Sequence, residues 1–132
     1  MRNLDDNNSI QPLYLPWQQT LLEQILSLKQ QARLPHAILI EAKSELIGAP
    51  FIWHLTMLLL RNNNQQIDPC GQCQSCSLMM ANTYPDFSFI SLIQDSKTKK
   101  INKNIKIEQI RNLIHEVYLT RRYDNLKVVA IH

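Results

Sequence analysis

Glycine is scarce in this chain of 132 residues: only Gly48 and Gly71 occur, against an average usage of about 7%. A phosphate-binding loop is built from several glycines, so this scarcity argues against one. The longest apolar run, Phe51–Leu60, is interrupted by a histidine and a threonine and is too short to span a bilayer. The opening residues, MRNLDDNNSI, contain two acids and lack the apolar core of a signal peptide. We therefore expect a soluble, cytoplasmic protein.

Charge is unevenly distributed along the chain. The 14 Lys+Arg and 11 Asp+Glu residues give a net charge of +3, but residues 1–96 balance to −3 and residues 97–132 to +6. A basic segment of this kind fits contact with nucleic acid or with an acidic partner, or a solvated lysine loop. The loop is favoured because no aromatic residues for base stacking lie among its lysines, Lys97, Lys99, Lys100, Lys103 and Lys106.

Apolar patterns predict an α/β fold with a mostly parallel sheet. We expect a polar lead-in over residues 1–12 and one domain over residues 13–132. The predicted strands are Ala37–Ile40, Phe87–Ile93 and Lys127–Ile131. The predicted helices run from Pro16 to Pro35, over Pro50–Leu60, over Ser77–Ala81, and along a stripe of Ile107, Ile110, Leu113, Ile114 and Val117. Because a buried strand is an unusual place for a terminus, we expect an N-terminal fragment of a longer protein.

The segment between the first predicted strand and the second long helix is where a nucleotide-binding α/β protein places its phosphate loop. Its sequence, EAKSELIGAP, has glutamates at Glu41 and Glu45, which would repel phosphate. Gly48 occupies the position of the phosphate-binding lysine, Ala49 that of the magnesium-binding hydroxyl, and Lys43 is misplaced. We predict that this degenerate loop binds no ATP.

All three cysteines lie in one motif, Cys70-Gly71-Gln72-Cys73-Gln74-Ser75-Cys76. In a cytosolic protein, clustered thiols indicate metal or redox chemistry rather than disulfides. Three interpretations are open: a structural zinc site formed by Cys70, Cys73 and Cys76, a metal-free loop, or a redox dithiol. Structural zinc usually has four ligands, and the fourth would be Asp68, a histidine or water. No arrangement of Ser, His and Asp residues, or of Cys and His residues, has the spacing of a hydrolase.

Several short motifs, in this order, resemble the delta-prime subunit family of bacterial DNA polymerase III. They are Leu13-Tyr14-Leu15-Pro16-Trp17-Gln18, Arg33-Leu34-Pro35-His36-Ala37, the cysteine motif, Tyr84-Pro85-Asp86, Ile107-Glu108-Gln109-Ile110-Arg111 and Lys127-Val128-Val129. The resemblance implies the N-terminal part of a three-layer AAA+ module, similar to P-loop NTPases, with a zinc-knuckle-like module inserted at residues 61–82. It covers nearly the whole chain but only the first part of a family member.

The resemblance also implies a role without catalysis by the chain itself. Delta-prime subunits organise the clamp-loader ring that places the sliding clamp on primed DNA, and many have no working phosphate loop. The implied partners are the delta and tau/gamma subunits, with primer-template DNA met only through the assembled loader, and neither a membrane nor a small-molecule substrate. The family's arginine finger lies beyond His132. The family's first zinc cysteine is replaced here by Arg61, which cannot ligate zinc.

Two rival functions remain open from the sequence. One is a divergent clamp-loader ATPase of the tau/gamma type, which the composition of residues 41–50 disfavours. The other is a stand-alone zinc-binding adaptor that touches nucleic acid directly. Nucleotide affinity discriminates the first from a non-hydrolysing subunit of the polymerase holoenzyme, and zinc content together with salt-dependent DNA binding tests the second.

Overall fold

The computed structural model describes residues 14–43, 45–61, 67–119, 122 and 126–132, with side chains omitted at 45–47. The predicted lead-in over residues 1–12 lies outside the described residues. The chain divides into two compact units, one over residues 9–84 and one formed mainly by residues 85–132. No helix in the described part is long and apolar enough to cross a membrane.

The unit of residues 9–84 is helical in its described part. A short 3-10 turn, Pro16–Gln18, leads into α1, Gln19–Gln30. Proline suits this position because the first turn of a helix has no partner for the N–H that proline lacks. The apolar residues Leu22, Ile25 and Leu26 recur at helical spacing and are buried, whereas Trp17 and Leu21 of the same apolar pattern are exposed.

Helix α2, Glu45–Leu60, supplies most of the core of this unit. Every side chain from Trp53 to Leu60 is buried, including the polar His54 and Thr56. Thr56 satisfies its hydroxyl by donating to the Ile52 carbonyl at 2.8 Å, one turn earlier. A helix that is apolar on all sides must be covered on all sides, which explains the near absence of a polar face in its sequence.

A short third helix, α3, Gln74–Met80, begins inside the cysteine motif rather than after it. The sequence predicts only Ser77–Ala81, because glutamine, serine and cysteine at residues 74–76 carry no apolar periodicity. Cys76 and Met79 are buried and attach α3 to the unit. The helix ends at a left-handed Asn82, with φ of 60°.

The unit of residues 85–132 is a β-α-β arrangement. Strand β1, Phe87–Ile90, pairs in parallel with β2, Val128–Ile131, with Phe87 opposite Val128 and Ile90 opposite Ile131. Between them lies α4, Ile107–Tyr118. This parallel pair with a helical connection confirms the predicted α/β class. The predicted strand Phe87–Ile93 is three residues too long, because the chain then turns into a loop closed by a bridge between Gln94 and Ile101.

Helix α4 is fixed at both ends by side chains. At its start, the amide oxygen of Gln109 accepts from the Lys106 N–H at 2.9 Å, and its amide nitrogen donates to the Ser91 carbonyl at 2.9 Å. At its end, the ammonium of Lys127 donates to the carbonyls of Glu116 and Leu119, both at 2.7 Å. A cation at a helix C-terminus satisfies carbonyls that have no partner within the helix.

Two predictions about the segment before α2 are wrong. The predicted strand Ala37–Ile40 has no ladder partner among the described residues, and Leu39 is 97% exposed. Residues 37–40 have no regular structure, so they lack the ladder hydrogen bonds that define a strand. The predicted helix Pro50–Leu60 is also too short, because α2 begins at Glu45 and takes in residues 45–50 of the expected loop.

Candidate metal centre

The three cysteine thiols converge on one point. The sulfur atoms of Cys70, Cys73 and Cys76 all lie within 4.8 Å of one another, and those of Cys70 and Cys76 are 3.8 Å apart. Cys70 is exposed, Cys73 half-buried, and Cys76 only 1% exposed. Burial of Cys76 in the helical unit therefore anchors one corner of the cluster, while Cys70 stands at its solvent side.

Local backbone geometry brings the sulfurs together. Gly71 adopts φ of +69°, a left-handed conformation that side chains resist, and this lets the chain turn back between the first two cysteines. The N–H of Cys73 donates to the Cys70 sulfur at 3.3 Å, and the N–H of Cys76 donates to the Cys73 sulfur at 3.4 Å. The second contact also caps α3, so the turn that begins the helix positions the sulfur.

The three thiols differ in acidity because their surroundings differ. Backbone N–H groups, first that of Gln72 and then that of Cys73, lower the pKa of Cys70 to about 6. Burial, followed by the neighbouring Cys73 thiol, raises the pKa of Cys76 to about 11. Hydrogen bonds to a thiolate stabilise its charge, whereas burial without a cation opposes it. A divalent cation would supply the neighbouring positive charge that a buried Cys76 thiolate lacks.

One pair of sulfurs in the cluster has the separation expected of two zinc ligands. With zinc–sulfur bonds of about 2.3 Å, tetrahedral geometry separates two sulfurs by about 3.8 Å. The Cys70 and Cys76 sulfurs are at this separation. Thiolates are also the donors that zinc takes in structural sites. The three cysteines are therefore a donor set that could hold a metal ion.

The candidates for a fourth ligand are engaged elsewhere. Burial, followed by the negative charge of the nearby Asp68 carboxylate, raises the pKa of the Tyr14 phenol, so the exposed Asp68 side chain lies near that ring. The ring of His54 packs edge-on against that of Tyr14, with the ring centroids 4.8 Å apart. Its Nε2 atom donates to the Ile67 carbonyl at 3.0 Å. Burial lowers the pKa of His54 and thereby favours the neutral ring. Among the described Cys, His, Asp and Glu side chains, the three thiols form a group by themselves.

Arg61 has a structural role that the sequence did not reveal. Its side chain is 2% exposed, and its guanidinium Nη1 donates to the Asp68 carbonyl at 2.7 Å. This bond ties the chain entering the cysteine motif to the end of α2. Arginine stays protonated and has no acceptor atom, so at this position it acts as a hydrogen-bond donor.

The end of α2 is a second feature that sequence motifs did not indicate. The carbonyl of Leu60 accepts from the hydroxyls of Ser75 and Tyr84, both at 3.4 Å. The ammonium of Lys29 donates to the carbonyls of Leu58 at 3.1 Å and Arg61 at 2.6 Å. These side chains come from α1, α3 and the following turn, and they join these parts at one helix terminus. Bonds to main-chain carbonyls leave no pattern in side-chain spacing, which is why the sequence gives no sign of them.

The residues of the predicted degenerate phosphate loop do not form the expected loop between a strand and a helix. Glu41 and Lys43 are exposed in the segment before α2, and Glu45 is the first residue of that helix, its side chain outside the described part. Gly48 is buried and Ala49 half-buried within α2. Helical N–H groups are directed along the helix axis, so these residues form no loop of converging N–H groups.

The described part thus combines an α/β unit with a helical unit carrying a three-cysteine cluster of the metal-binding kind. Residues 17–132 match the family described as DNA polymerase III, delta subunit, and the chain belongs to this family. This confirms the resemblance noted from the sequence motifs.

Curated relatives carry a related name. The chain is 30% identical over 116 residues to DNA polymerase III subunit delta' of Haemophilus influenzae, covering 88% of this chain and 33% of that protein. It is 28% identical over 116 residues to the subunit delta' of Pseudomonas aeruginosa, with 88% and 33% covered. For the Escherichia coli subunit delta' the identity is 27% over 118 residues, with 89% and 34% covered. The chain therefore spans about a third of the length of these relatives.

Proposed function

We propose that the chain is part of a non-hydrolysing clamp-loader subunit, organising the loader ring that places the sliding clamp on primed DNA. The observation that carries this proposal is the helical conformation of residues 45–50, with Gly48 buried in α2 where a nucleotide-binding loop would need exposed N–H groups. Family membership supports a role in replication. The AAA+ module is part of this proposal, with residues 61–82 as its inserted cysteine module.

The proposed partners are the other loader subunits. By analogy with the delta' relatives, the chain would assemble with delta and tau/gamma subunits and would meet primer-template DNA only through the complete loader. It would be an accessory subunit of the polymerase, with the nucleotidyl transfer performed elsewhere in the holoenzyme.

Equilibrium binding of a fluorescent ATP analogue to the whole chain tests the absence of a nucleotide site. We expect no saturable binding at micromolar concentrations, with or without magnesium, and no difference for the variant Lys43→Ala. A clamp-loader ATPase subunit in the same buffer is the positive control. Micromolar, magnesium-dependent binding that Lys43→Ala removes would overturn the proposal, because Lys43 would then act as the phosphate-binding lysine.

Affinity purification tests the partners separately. The tagged whole chain, mixed with purified delta and tau/gamma subunits, should retain them on the column and elute as one complex in size-exclusion chromatography. Retention of neither subunit would contradict the assembly role and leave the nucleotide result standing on its own.

We further propose that Cys70, Cys73 and Cys76 hold a zinc ion, which would cross-link the turn before α3 to the helix itself. The support is the 3.8 Å separation of the Cys70 and Cys76 sulfurs and the N–H donors that stabilise two of the thiolates. Elemental analysis after purification in zinc-replete medium should give about one equivalent per chain. The variant Cys76→Ser should retain much less, whereas Ser77→Ala, on the same helix but exposed, should retain the full amount. Well under one equivalent in the unaltered chain would contradict zinc binding.

A further inference from the structure

We propose that the metal centre of this chain has an exchangeable fourth position, which takes an external monodentate donor, with a small thiol preferred. The inference rests on the proposed zinc binding and extends it by naming the ligand class. A site with three protein ligands keeps one position for an exogenous group, whereas a closed structural site takes all four from the protein.

The first step concerns the two residues that could supply a fourth ligand, Asp68 and His54. The main-chain carbonyl of Asp68 accepts from Arg61, which fixes the backbone at this residue, and its carboxylate lies outside the group formed by the three sulfurs. The Nε2 atom of His54 is held at 3.0 Å from the Ile67 carbonyl, and its ring rests against Tyr14. For His54 to reach a metal at the cysteines, its buried contacts in the helical unit would have to break, whereas Asp68 is exposed and its carboxylate stands apart from the three sulfurs.

The second step is that a fourth protein ligand is not needed to hold the cysteine segment. Arg61 ties residue 68 to the end of α2, and Ser75 and Tyr84 both donate to the Leu60 carbonyl. Cys76 and Met79 are buried at 1% exposure each. The segment is therefore attached on both sides of the cluster by contacts that involve no metal. A metal bound there can change its external ligand without releasing the segment.

The third step is access. Cys70, Gly71 and Gln72 are all exposed, and Cys73 is only half-buried, so the cluster meets solvent along the turn that carries its first two thiols. A small molecule can reach this side without movement of α2 or α3. Three thiolates on a divalent cation leave one negative charge, and zinc accepts a further sulfur donor in preference to oxygen. An external thiol would bind such a metal as its thiolate and release its proton to solvent, so no oxidant or reductant would be needed.

Cobalt substitution of the whole chain tests the inference under anaerobic, thiol-free conditions. Cobalt with three thiolates gives sulfur-to-metal charge-transfer absorption, and addition of 2-mercaptoethanol should raise its intensity per cobalt by about one third, because three cobalt–sulfur bonds become four. The rise should saturate at one thiol per cobalt and reverse on dialysis. The variant Ser77→Ala should behave identically, and Cys73→Ser should start from a lower intensity.

Two outcomes would overturn the inference in distinguishable ways. Cobalt bound at one equivalent with a spectrum that 2-mercaptoethanol leaves unchanged would mean that the chain closes the site itself, and the proposed zinc binding would stand. Absence of cobalt charge-transfer absorption would overturn both the metal binding and the exchangeable position. Neither outcome affects the proposed clamp-loader role, which depends on residues 41–50 and on partner binding.

Discussion

Lys29 caps the C-terminus of α2 with a single side chain. Its ammonium donates to two carbonyls at the C-terminus of α2, and burial, followed by repulsion from Arg61, lowers its pKa from 10.5 to about 8. Desolvation and a neighbouring cation both disfavour the charged form. The amine keeps two donor hydrogens after losing a proton, so it can serve both carbonyls in either state.

This shift predicts a rise in stability at alkaline pH. Between about pH 8 and 10.5 the unfolded chain binds more protons at Lys29 than the folded chain, so the free energy of unfolding increases with pH in that window. The slope should be well below the limit of about 1.4 kcal/mol per pH unit, since the side chain is only half-buried. Below pH 8 both states are protonated and the term is constant.

Urea unfolding of the chain at several pH values checks this expectation. The variant Lys29→Met should lose the rise, and Lys43→Met, which alters an exposed lysine, should keep it. The difference between the two variants cancels the titration of the cysteines, which both share. Parallel pH profiles for the two variants would refute the assignment.

Asp86 is the second residue for which the structure makes a definite prediction. It is buried, its carboxylate accepts from the Arg122 N–H at 3.0 and 3.2 Å, and its carbonyl accepts from Val128 at 2.9 Å. Asp86→Ala leaves a main-chain donor without its acceptor, so we expect a loss of about 1–3 kcal/mol in the free energy of unfolding. Asp86→Asn retains one acceptor oxygen and should lose less.

Urea denaturation gives the comparison, with Asp95→Ala as the control. The Asp95 carboxylate also accepts from main-chain N–H groups, those of Lys97 and Thr98, but in an exposed turn. Its removal should cost less than removal of Asp86. Equal losses at the two positions would show that burial of Asp86 contributes nothing.

At the scale of elements, periodicity predicted helices better than it predicted which of their faces is covered. The stripe along α4 correctly indicates a helix, yet Ile107, Ile114 and Val117 are exposed in the described structure. The polar Gln109 is buried instead, because it caps the helix and reaches the Ser91 carbonyl. The burial of Gln109 depends on a hydrogen-bond partner distant in sequence, and a local apolar pattern gives no information about such a partner.

The candidate site divides in the same way. Spacing alone predicted that Cys70, Cys73 and Cys76 converge, because two C-x-x-C units joined by a tight turn can reach one point. The positions of Asp68, His54 and Arg61 could not be predicted, since each bonds a main-chain carbonyl or a side chain from another element. The run Ala37–Ile40 was misjudged because its composition suits a strand, whereas a strand also requires a neighbour.

A pair of leucine truncations tests this correction. Leu58 is 2% exposed in α2, so Leu58→Ala should lower the free energy of unfolding by about 2–5 kcal/mol through lost packing and the cavity left behind. Leu39 is almost fully exposed, so Leu39→Ala should change it by less than about 0.5 kcal/mol. Thermal and urea unfolding of both variants measure the difference. If Leu39→Ala lowered the free energy of unfolding as much as Leu58→Ala, the original prediction of a buried strand at Ala37–Ile40 would be supported.

At the scale of the whole molecule, the chain consists of two compact units and matches one family over residues 17–132. The positive charge lies in the second unit, where all five lysines of the loop before α4 are exposed, as predicted for a solvated loop. The cysteine cluster belongs to the other unit.

Metal removal gives a prediction for the molecule as a whole. Because Cys76, Met79 and Tyr84 are buried and the Leu60 carbonyl is bonded by side chains, chelation should preserve the helical signal in circular dichroism. The melting temperature should fall only by the amount that the free energy of metal binding adds to stability. Thermal scans with and without a chelator check this. Loss of the cooperative transition, as in zinc fingers that unfold without metal, would contradict it.

The lysine caps at the ends of α2 and α4 have a practical consequence. An acylating reagent consumes the lone pair of a free amine, and an ammonium holding two carbonyls does not offer one. Lys127 should thus become labelled only when the end of α4 frays, whereas Lys29, whose pKa is lowered to about 8, offers a lone pair to the reagent while its helix end is still closed. The rate of labelling at Lys127, read by mass spectrometry against that of Lys43, would therefore report the opening of the α4 terminus alone.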